Sequence, residues 1–225
     1  MFFGKKYYCI LCDKYHGKEK MHIIHSEIGV CHNCYQKLNT TKEQNFDGGD
    51  GISAVFSPFF YNGQLREAIK AYKFFGQRLY GNLFGKMLYE KLKEIPYIWE
   101  FDAIIPVPLH ELRLNERGYN QSEIIAEYLS EFSGVKMLTD GLFRIRETKR
   151  QSTLKGMARR DNVKGAFYAH PGVIAGKRIV LVDDICTMGE TLRACAYALR
   201  EAGAKEIIAV TLCVSTKEEQ RFNLY

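Results

Sequence analysis

The chain has 225 residues, 46% of them apolar, and a formal net charge of +6, which gives room for one medium domain with its own core plus a small appendage. No apolar run approaches the roughly 20 residues of a membrane-spanning helix, and the start, Met1-Phe2-Phe3-Gly4-Lys5-Lys6, lacks the basic-then-apolar pattern of a secretion leader. The expected location is the cytoplasm. Seven cysteines, four of them bunched near the start, suit reduced thiols and metal binding better than a disulfide framework.

Taken in chain order, the first pattern is Cys9-x2-Cys12-x18-Cys31-x2-Cys34. Two Cys-x2-Cys knuckles at this separation can place four thiolates tetrahedrally around one Zn²⁺. Four thiolates fill the coordination shell, so the metal would be structural, and in so short a segment its binding would supply most of the folding free energy. His16, His22, His25 and His32 lie among the cysteines. They read as surface histidines, with substitution as ligands the other option. A pair of redox dithiols is the alternative for the whole module.

Glu43 to Gly51 has turn composition and reads as a linker. The division expected is a zinc-binding module at 1–45, a linker at 46–51 and a main domain at 52–225. Ala54 to Tyr61 is β-branched and aromatic, with Pro58 marking an edge strand or a bulge. Leu65, Ile69 and Tyr72, then Leu79, Leu83, Met87, Leu88 and Leu92, keep helical spacing and predict two amphipathic helices separated near Gly76. Within the break lies Lys70-Ala71-Tyr72-Lys73-Phe74-Phe75-Gly76. Basic residues among aromatics can stack bases or sugars, but such a stretch more often buries its rings and exposes its ammonium groups.

Asp102 to Leu109 reads as a buried strand entering a proline-rigid loop, followed by Arg113 to Ser122 and a helix carrying Ile124, Ile125 and Leu129. A loop between a strand's carboxyl end and a helix is where an open α/β sheet binds ligand. From Arg144 to Lys164 eight cations face two acids, the whole of the chain's excess charge. Such a segment meets a polyanion or a solvated surface.

The richest stretch runs from Ile179 to Thr191. An aliphatic run too apolar to alternate predicts a strand buried on both faces, as in a parallel sheet. Asp183 and Asp184 sit at its carboxyl end. Thr187-Met188-Gly189-Glu190-Thr191 then opens a helix with apolar Leu192, Cys195, Ala196 and Leu199, ended by Gly203. Free backbone N–H groups, a glycine, two hydroxyls and a helix N-terminus suit a phosphate, and the carboxylates suit hydroxyls or a metal. The ligand that fits is a ribose 5-phosphate. A P-loop is excluded, because the loop lacks the Walker lysine. Glu206 to Cys213 supplies one more buried strand, and Cys186, Cys195 and Cys213 read as packing residues.

The Asp183 to Thr191 stretch resembles the phosphoribosyl pyrophosphate (PRPP) motif of type I phosphoribosyltransferases, with Thr187-Met188-Gly189 in place of that family's usual Thr-Thr-Gly. Pro106-Val107-Pro108-Leu109 and Arg117-Gly118-Tyr119-Asn120-Gln121-Ser122 resemble the ComF family, the competence-associated branch of that fold. Arg144, Gln151, Arg159, Asn162 and Phe167 stand in an arrangement similar to that family's as well. The resemblance implies an α/β fold, an open and mostly parallel sheet with flanking helices, preceded by the small four-cysteine zinc module. It also implies PRPP, or another phosphorylated ribose, with Mg²⁺. Diphosphate is expected near Pro108, Leu109, His110 and Arg117, with Arg159 as a further phosphate contact, and the ribose phosphate on Thr187, Met188, Gly189, Glu190 and Thr191. Asp183 and Asp184 would stabilise positive charge on the ring, and the Arg144 to Lys164 segment would close over the ligand as a lid. No residue identifies an acceptor. The enzymatic reading therefore stands beside another, in which a competence protein handles single-stranded DNA and other competence proteins while PRPP regulates it.

Overall fold

The computed structural model describes residues 5–38, 40–41, 51–147 and 164–215. None of its helices is long and apolar enough to cross a membrane. The first unit is built from β1 (Lys6–Cys9), β2 (Lys14–Gly17), β3 (Met21–His25) and β4 (Ile28–Cys31), which form a four-stranded sheet in the order β2-β1-β4-β3, followed by the short helix α1 (His32–Gln36). All its strand pairs are antiparallel except β1 with β4. The tight turn between β1 and β2 passes through Asp13 at φ 56°, and it carries the first cysteine knuckle.

The main sheet is parallel throughout. It is built from β5 (Ala54–Phe56), β7 (Ala103–Pro106), β10 (Arg178–Cys186) and β11 (Glu206–Val214) in the order β5-β11-β10-β7, with β6 (Phe59–Phe60) also paired to β11. The expected strand from Ala54 to Tyr61 is thus two short pieces. Pro58 has no N–H to give the ladder and separates them. The helices are α2 (Gly63–Phe74), α3 (Leu79–Leu92), α4 (Glu111–Arg117), α5 (Gln121–Ser133), α6 (Pro171–Ile174) and α7 (Glu190–Glu201). A separate antiparallel ribbon joins β8 (Leu142–Arg144) to β9 (Phe167–Ala169).

Alternation along β10 assigns the two faces of the sheet. Ile179 and Leu181 pack with Leu192, Cys195 and Leu199 of α7 and with Leu142 and Phe167 of the ribbon. Val180 and Val182 pack on the other side with α2, α3 and α5. That second core runs without a break into the small unit, through Leu11, Met21, Ile23 and Val30. Polar contacts fix the same junction: Lys86 Nζ donates to the Ile24 carbonyl at 2.9 Å, and Thr41 donates through N to Pro58 O at 3.0 Å and through Oγ1 to Ser57 O at 2.7 Å. The small unit is therefore docked on the core.

α3 approaches its neighbours closely because of two glycines one turn apart. A Cβ at Gly85 would lie 2.5 Å from Tyr128 Cβ, and one at Gly81 would meet the Tyr72 hydroxyl and, at 2.6 Å, Ile124 Cγ2. Gly85→Ala would gain about 1 kcal/mol in helix propensity if the site were open. The obstructing atom is attached directly to the α5 backbone, so relief requires moving a helix, a cost of about 1–3 kcal/mol. We expect a lower melting temperature for Gly85→Ala by circular dichroism; an unchanged or higher one would show that α3 and α5 can separate freely.

Candidate active site and metal cluster

β7 leaves the sheet just before the acidic pair arrives. Pro106 is the last β7 residue in register, opposite Val182, and Val107 N still donates to Val182 O at 2.8 Å. β10 continues four residues further beside β11. Where β7 has turned away, a cleft of about 740 Å³ opens over the carboxyl end of β10. Its walls include Asp183, Asp184, Thr187 and Thr191 from the β10–α7 connection, Pro108, Leu109, Arg113 and Arg117 from the segment after β7, and Arg66, Lys70, Lys73 and Phe74 from α2. Such a crevice outside the carboxyl ends of parallel strands is the general ligand position of open α/β sheets.

The acidic pair is held by groups from both neighbouring helices. Asp184 is only 5% exposed, and its Oδ2 lies 2.8 Å from Lys73 Nζ of α2. Alternation explains this: Asp184 follows Val180 and Val182 onto the α2 side of the sheet. Asp183 Oδ1 accepts from Ser122 Oγ of α5 at 2.8 Å and from the Asp184 N–H at 2.9 Å. Burial, and next the Asp184 charge, push the Asp183 carboxyl up to about 6, while Lys73 and the Ser122 hydroxyl work the other way.

The Arg117 to Ser122 motif acts as scaffold around this pair. Gly118 ends α4 in the left-handed conformation at φ 79°. The buried Tyr119 hydroxyl donates to Tyr72 O, and Tyr72 in turn donates to the Gln121 carbonyl at 2.9 Å. Asn120 caps α5 by accepting from Ser122 N at 3.2 Å, and its amide donates to Val107 O at 3.0 Å. One asparagine thus links the end of β7 to the start of α5, which places Ser122 against Asp183. Burial, followed by the Asp184 charge, raises the Tyr72 phenol, so it stays a neutral donor.

Beyond the carboxylates, Gly189 at φ 74° starts α7, a conformation in which a side chain is strained. Arg193 donates to the Met188 carbonyl and, at 3.0 Å, to Glu190 Oε1. Glu190 is buried in that ion pair, and neither it nor Met188 or Gly189 is among the cleft's lining side chains. Only their backbone N–H groups are suited to an anion, since a carboxylate would repel one. Across the cleft, Arg144 is held below its usual range by burial and then by the neighbouring charge of Arg113. Arg159 and the centre of the basic 144–164 segment lie outside the described residues.

Lys73 and Ser122 stood in the sequence reading only inside longer stretches, with no role of their own, yet the structure sets both against the acidic pair. The signal for the first was present: Arg66, Lys70 and Lys73 are spaced by four and three, one face of a helix, and that face lines the cleft. The second carries no local signal, because its partner is 61 residues away. The aromatic reading of Lys70 to Gly76 divides. Tyr72 is fully buried, yet Phe74 and Phe75 are 57% and 74% exposed.

The four cysteines Cys9, Cys12, Cys31 and Cys34 place their Sγ atoms within 4.8 Å of one another. A tetrahedron with Zn–S bonds of about 2.3 Å has sulfur atoms about 3.8 Å apart, so this donor set fits Zn²⁺. Burial opposes a Cys9 thiolate, but backbone N–H donors, Cys31 N at 3.3 Å among them, bring it below the ordinary thiol range. Cys12 Sγ contacts His16 Nε2 at 3.5 Å. His22 stacks on Tyr35 at 3.7 Å between ring centroids, and His25 packs edge-on to Tyr128. The cluster can hold a metal such as zinc through sulfur alone.

Residues 115–224, which carry β10, β11 and the acidic pair, match the phosphoribosyl transferase domain family, and the parallel sheet with flanking helices is a fold of that type. The chain is 33% identical over 188 residues to competence protein ComFC of Streptococcus pneumoniae, covering 81% of this chain and 79% of that protein. It therefore belongs to the ComF family of competence proteins. Competence protein F of Haemophilus influenzae is 32% identical over 65% of this chain and 66% of its own length. The DNA utilization protein YhgH of Escherichia coli O157:H7 is 36% identical over 50% and 49%. Among solved structures, a glutamine PRPP amidotransferase from B. subtilis matches with 30% identity over 59% of this chain and 25% of its own, at a TM-score of 0.41. A purine phosphoribosyltransferase from Pyrococcus horikoshii matches with 25% identity over 58% and 70%, at 0.35.

The raised Asp183 makes a signed prediction. A carboxyl lifted from 3.8 to about 6 in the folded protein leaves the native state holding a proton that the unfolded chain has released, so stability is lost as pH rises through that window. Asp183→Asn removes the loss. Its stability relative to the parent should improve by about 2–3 kcal/mol between pH 4 and pH 8 in urea denaturation. A pH-independent difference would mean that Asp183 titrates normally.

Proposed function

We propose that the cleft binds PRPP or a related phosphorylated ribose, and that the protein uses it in the DNA-uptake pathway its relatives' names denote. The observation that carries this reading is the acidic pair beside a helix N-terminus in a cleft walled by cations. Thr187, Thr191 and the backbone of Met188, Gly189 and Glu190 take the 5-phosphate. Asp183 and Asp184 accept from the ribose hydroxyls. Pro108, Leu109 and Arg117 receive the diphosphate, with Arg159 as a further contact. In a transfer reaction the bond from ribose C1 to diphosphate breaks early, and the two carboxylates stabilise the positive ring.

Mg²⁺ fits this site through the ligand. Lys73 engages one oxygen of Asp184, and Ser122 and a backbone N–H engage one of Asp183, so the pair offers few free oxygens to a metal. The carboxylate oxygens of Asp183 and Asp184 left unengaged would be the protein groups at hand for it, and when bound it would supply charge neutralisation for the leaving diphosphate. In the same proposal residues 1–45 form the structural zinc module, 46–51 link it, and 52–225 form the phosphoribosyltransferase-like domain, in the cytoplasm. The module's docking on α3 means that metal loss would loosen the main core as well.

Two measurements test this. Calorimetric titration of PRPP with Mg²⁺ into the protein should show micromolar binding that Asp183→Asn and Asp184→Asn each weaken at least tenfold; equal affinity in both variants would refute the ribose assignment. One zinc per chain is expected by atomic absorption. Cys31→Ser should lose the metal and lower the melting temperature, and full occupancy in that variant would exclude the four-thiolate site.

A further inference from the structure

We infer that the Gln121 carboxamide is a ligand-reading group of the cleft, which donates to a ring hydroxyl of the bound sugar and so selects ribose over its deoxy forms. This deepens the ribosyl-phosphate reading of the cleft and rests on it.

Asn120, Gln121 and Ser122 are consecutive polar residues at the start of α5, and all three are buried, at 7%, 2% and 4% exposure. The outer two have partners that explain their burial. Asn120 caps the helix and donates to Val107 O, and the Ser122 hydroxyl donates to Asp183. Gln121 differs. Its amide nitrogen is buried with no hydrogen-bond partner among the described residues. Its backbone is pinned in place, because the Tyr72 hydroxyl donates to the Gln121 carbonyl at 2.9 Å. A buried amide left unpaired costs stability that an apolar side chain of the same size would not. The fold thus gains nothing from this amide, whereas the cleft can use it: Gln121 is one of the lining residues, together with Ser122, Asp183 and Asp184.

The surroundings narrow what the amide can meet. An N–H donor requires an acceptor. On one side of Gln121, Ser122 is bonded to Asp183; on the other, Tyr72 precedes Lys73, which is paired with Asp184. A phosphate oxygen is disfavoured so close to two carboxylates, and it is better placed beside Arg113 and Arg117 on the wall that follows β7. A hydroxyl is neutral, and it can donate to a carboxylate and accept from an amide at the same time. Loss of that hydroxyl from the ligand leaves both protein groups unpaired in a buried place, which is how a site rejects an analogue lacking one polar group.

The test is Gln121→Met, which keeps length and volume and removes the carboxamide. Its melting temperature by circular dichroism should equal or exceed that of the parent, since an unpaired buried group is lost. Calorimetry in the presence of Mg²⁺ then compares ribose 5-phosphate, 2-deoxyribose 5-phosphate and 3-deoxyribose 5-phosphate in parent and variant. Gln121→Met should bind ribose 5-phosphate about five- to tenfold more weakly. Its affinity for one of the deoxy sugars should stay at the parent value, so that discrimination against that sugar falls by the same factor. Equal losses with all three sugars, or no loss with any, overturn the assignment. A variant that melts lower or fails to fold overturns it too, by showing that the amide serves the fold. Absence of ribose 5-phosphate binding in the parent defeats the ribosyl site itself and this inference with it. Parent binding with unaltered discrimination in Gln121→Met defeats only the role of Gln121.

Discussion

The constraint on which the rest depends is the placing of two adjacent carboxylates, Asp184 buried and Asp183 partly buried, near the end of a central strand. Like charges on neighbouring residues repel, and burial adds to the cost of ionising either one. The fold answers with an ammonium from one helix and a hydroxyl from another: Lys73 on Asp184, and Ser122 on Asp183. Both helices must be placed accurately for this. Tyr119, Tyr72 and Asn120 tie α2, α5 and the end of β7 together, while Gly81 and Gly85 allow α3 to pack close against the same helices. Much of the polar structure in the core is thus a support for two side chains.

The strain does not disappear. Asp183 remains raised toward neutral pH even with its partners in place. Under the proposed reading, ribose hydroxyls donating to the pair would relieve this cost, which the protein bears without them. That is the usual relation between a binding site and stability, in which the groups poised for a ligand are the ones the fold would do better without.

The small amino-terminal unit contributes in a different way. It brings four cysteine sulfurs within 4.8 Å of one another, close enough to hold one metal ion, and shares a continuous core with α3. A segment of that size has little apolar interior of its own. Its order therefore rests on the main domain from without and, under the proposed zinc assignment, on the metal from within.

Sequence alone determined the local chemistry. The Cys9 to Cys34 spacing, the aliphatic run into Asp183-Asp184, the glycine turn that opens a helix and the 3.6-residue periodicity of α2 and α3 are all patterns within about 25 residues, where short-range geometry fixes what the chain can do. The strands β10 and β11 were legible in outline for the same reason, although β10 runs on through the acidic pair to Cys186. Only the tertiary structure decided which groups meet across long separations. Ser122 reaches Asp183 over 61 residues. The helix α4, read in the sequence only as part of a loop, carries Arg113 and Arg117 to the cleft. Of the aromatics between Lys70 and Gly76, read in the sequence as rings more often buried, only Tyr72, which keeps the helical spacing of Leu65 and Ile69, is buried; Phe74 and Phe75 fall off that face. Packing against Tyr119 and Phe84 claims Tyr72, and the end of α2 leaves Phe74 at the mouth of the cleft.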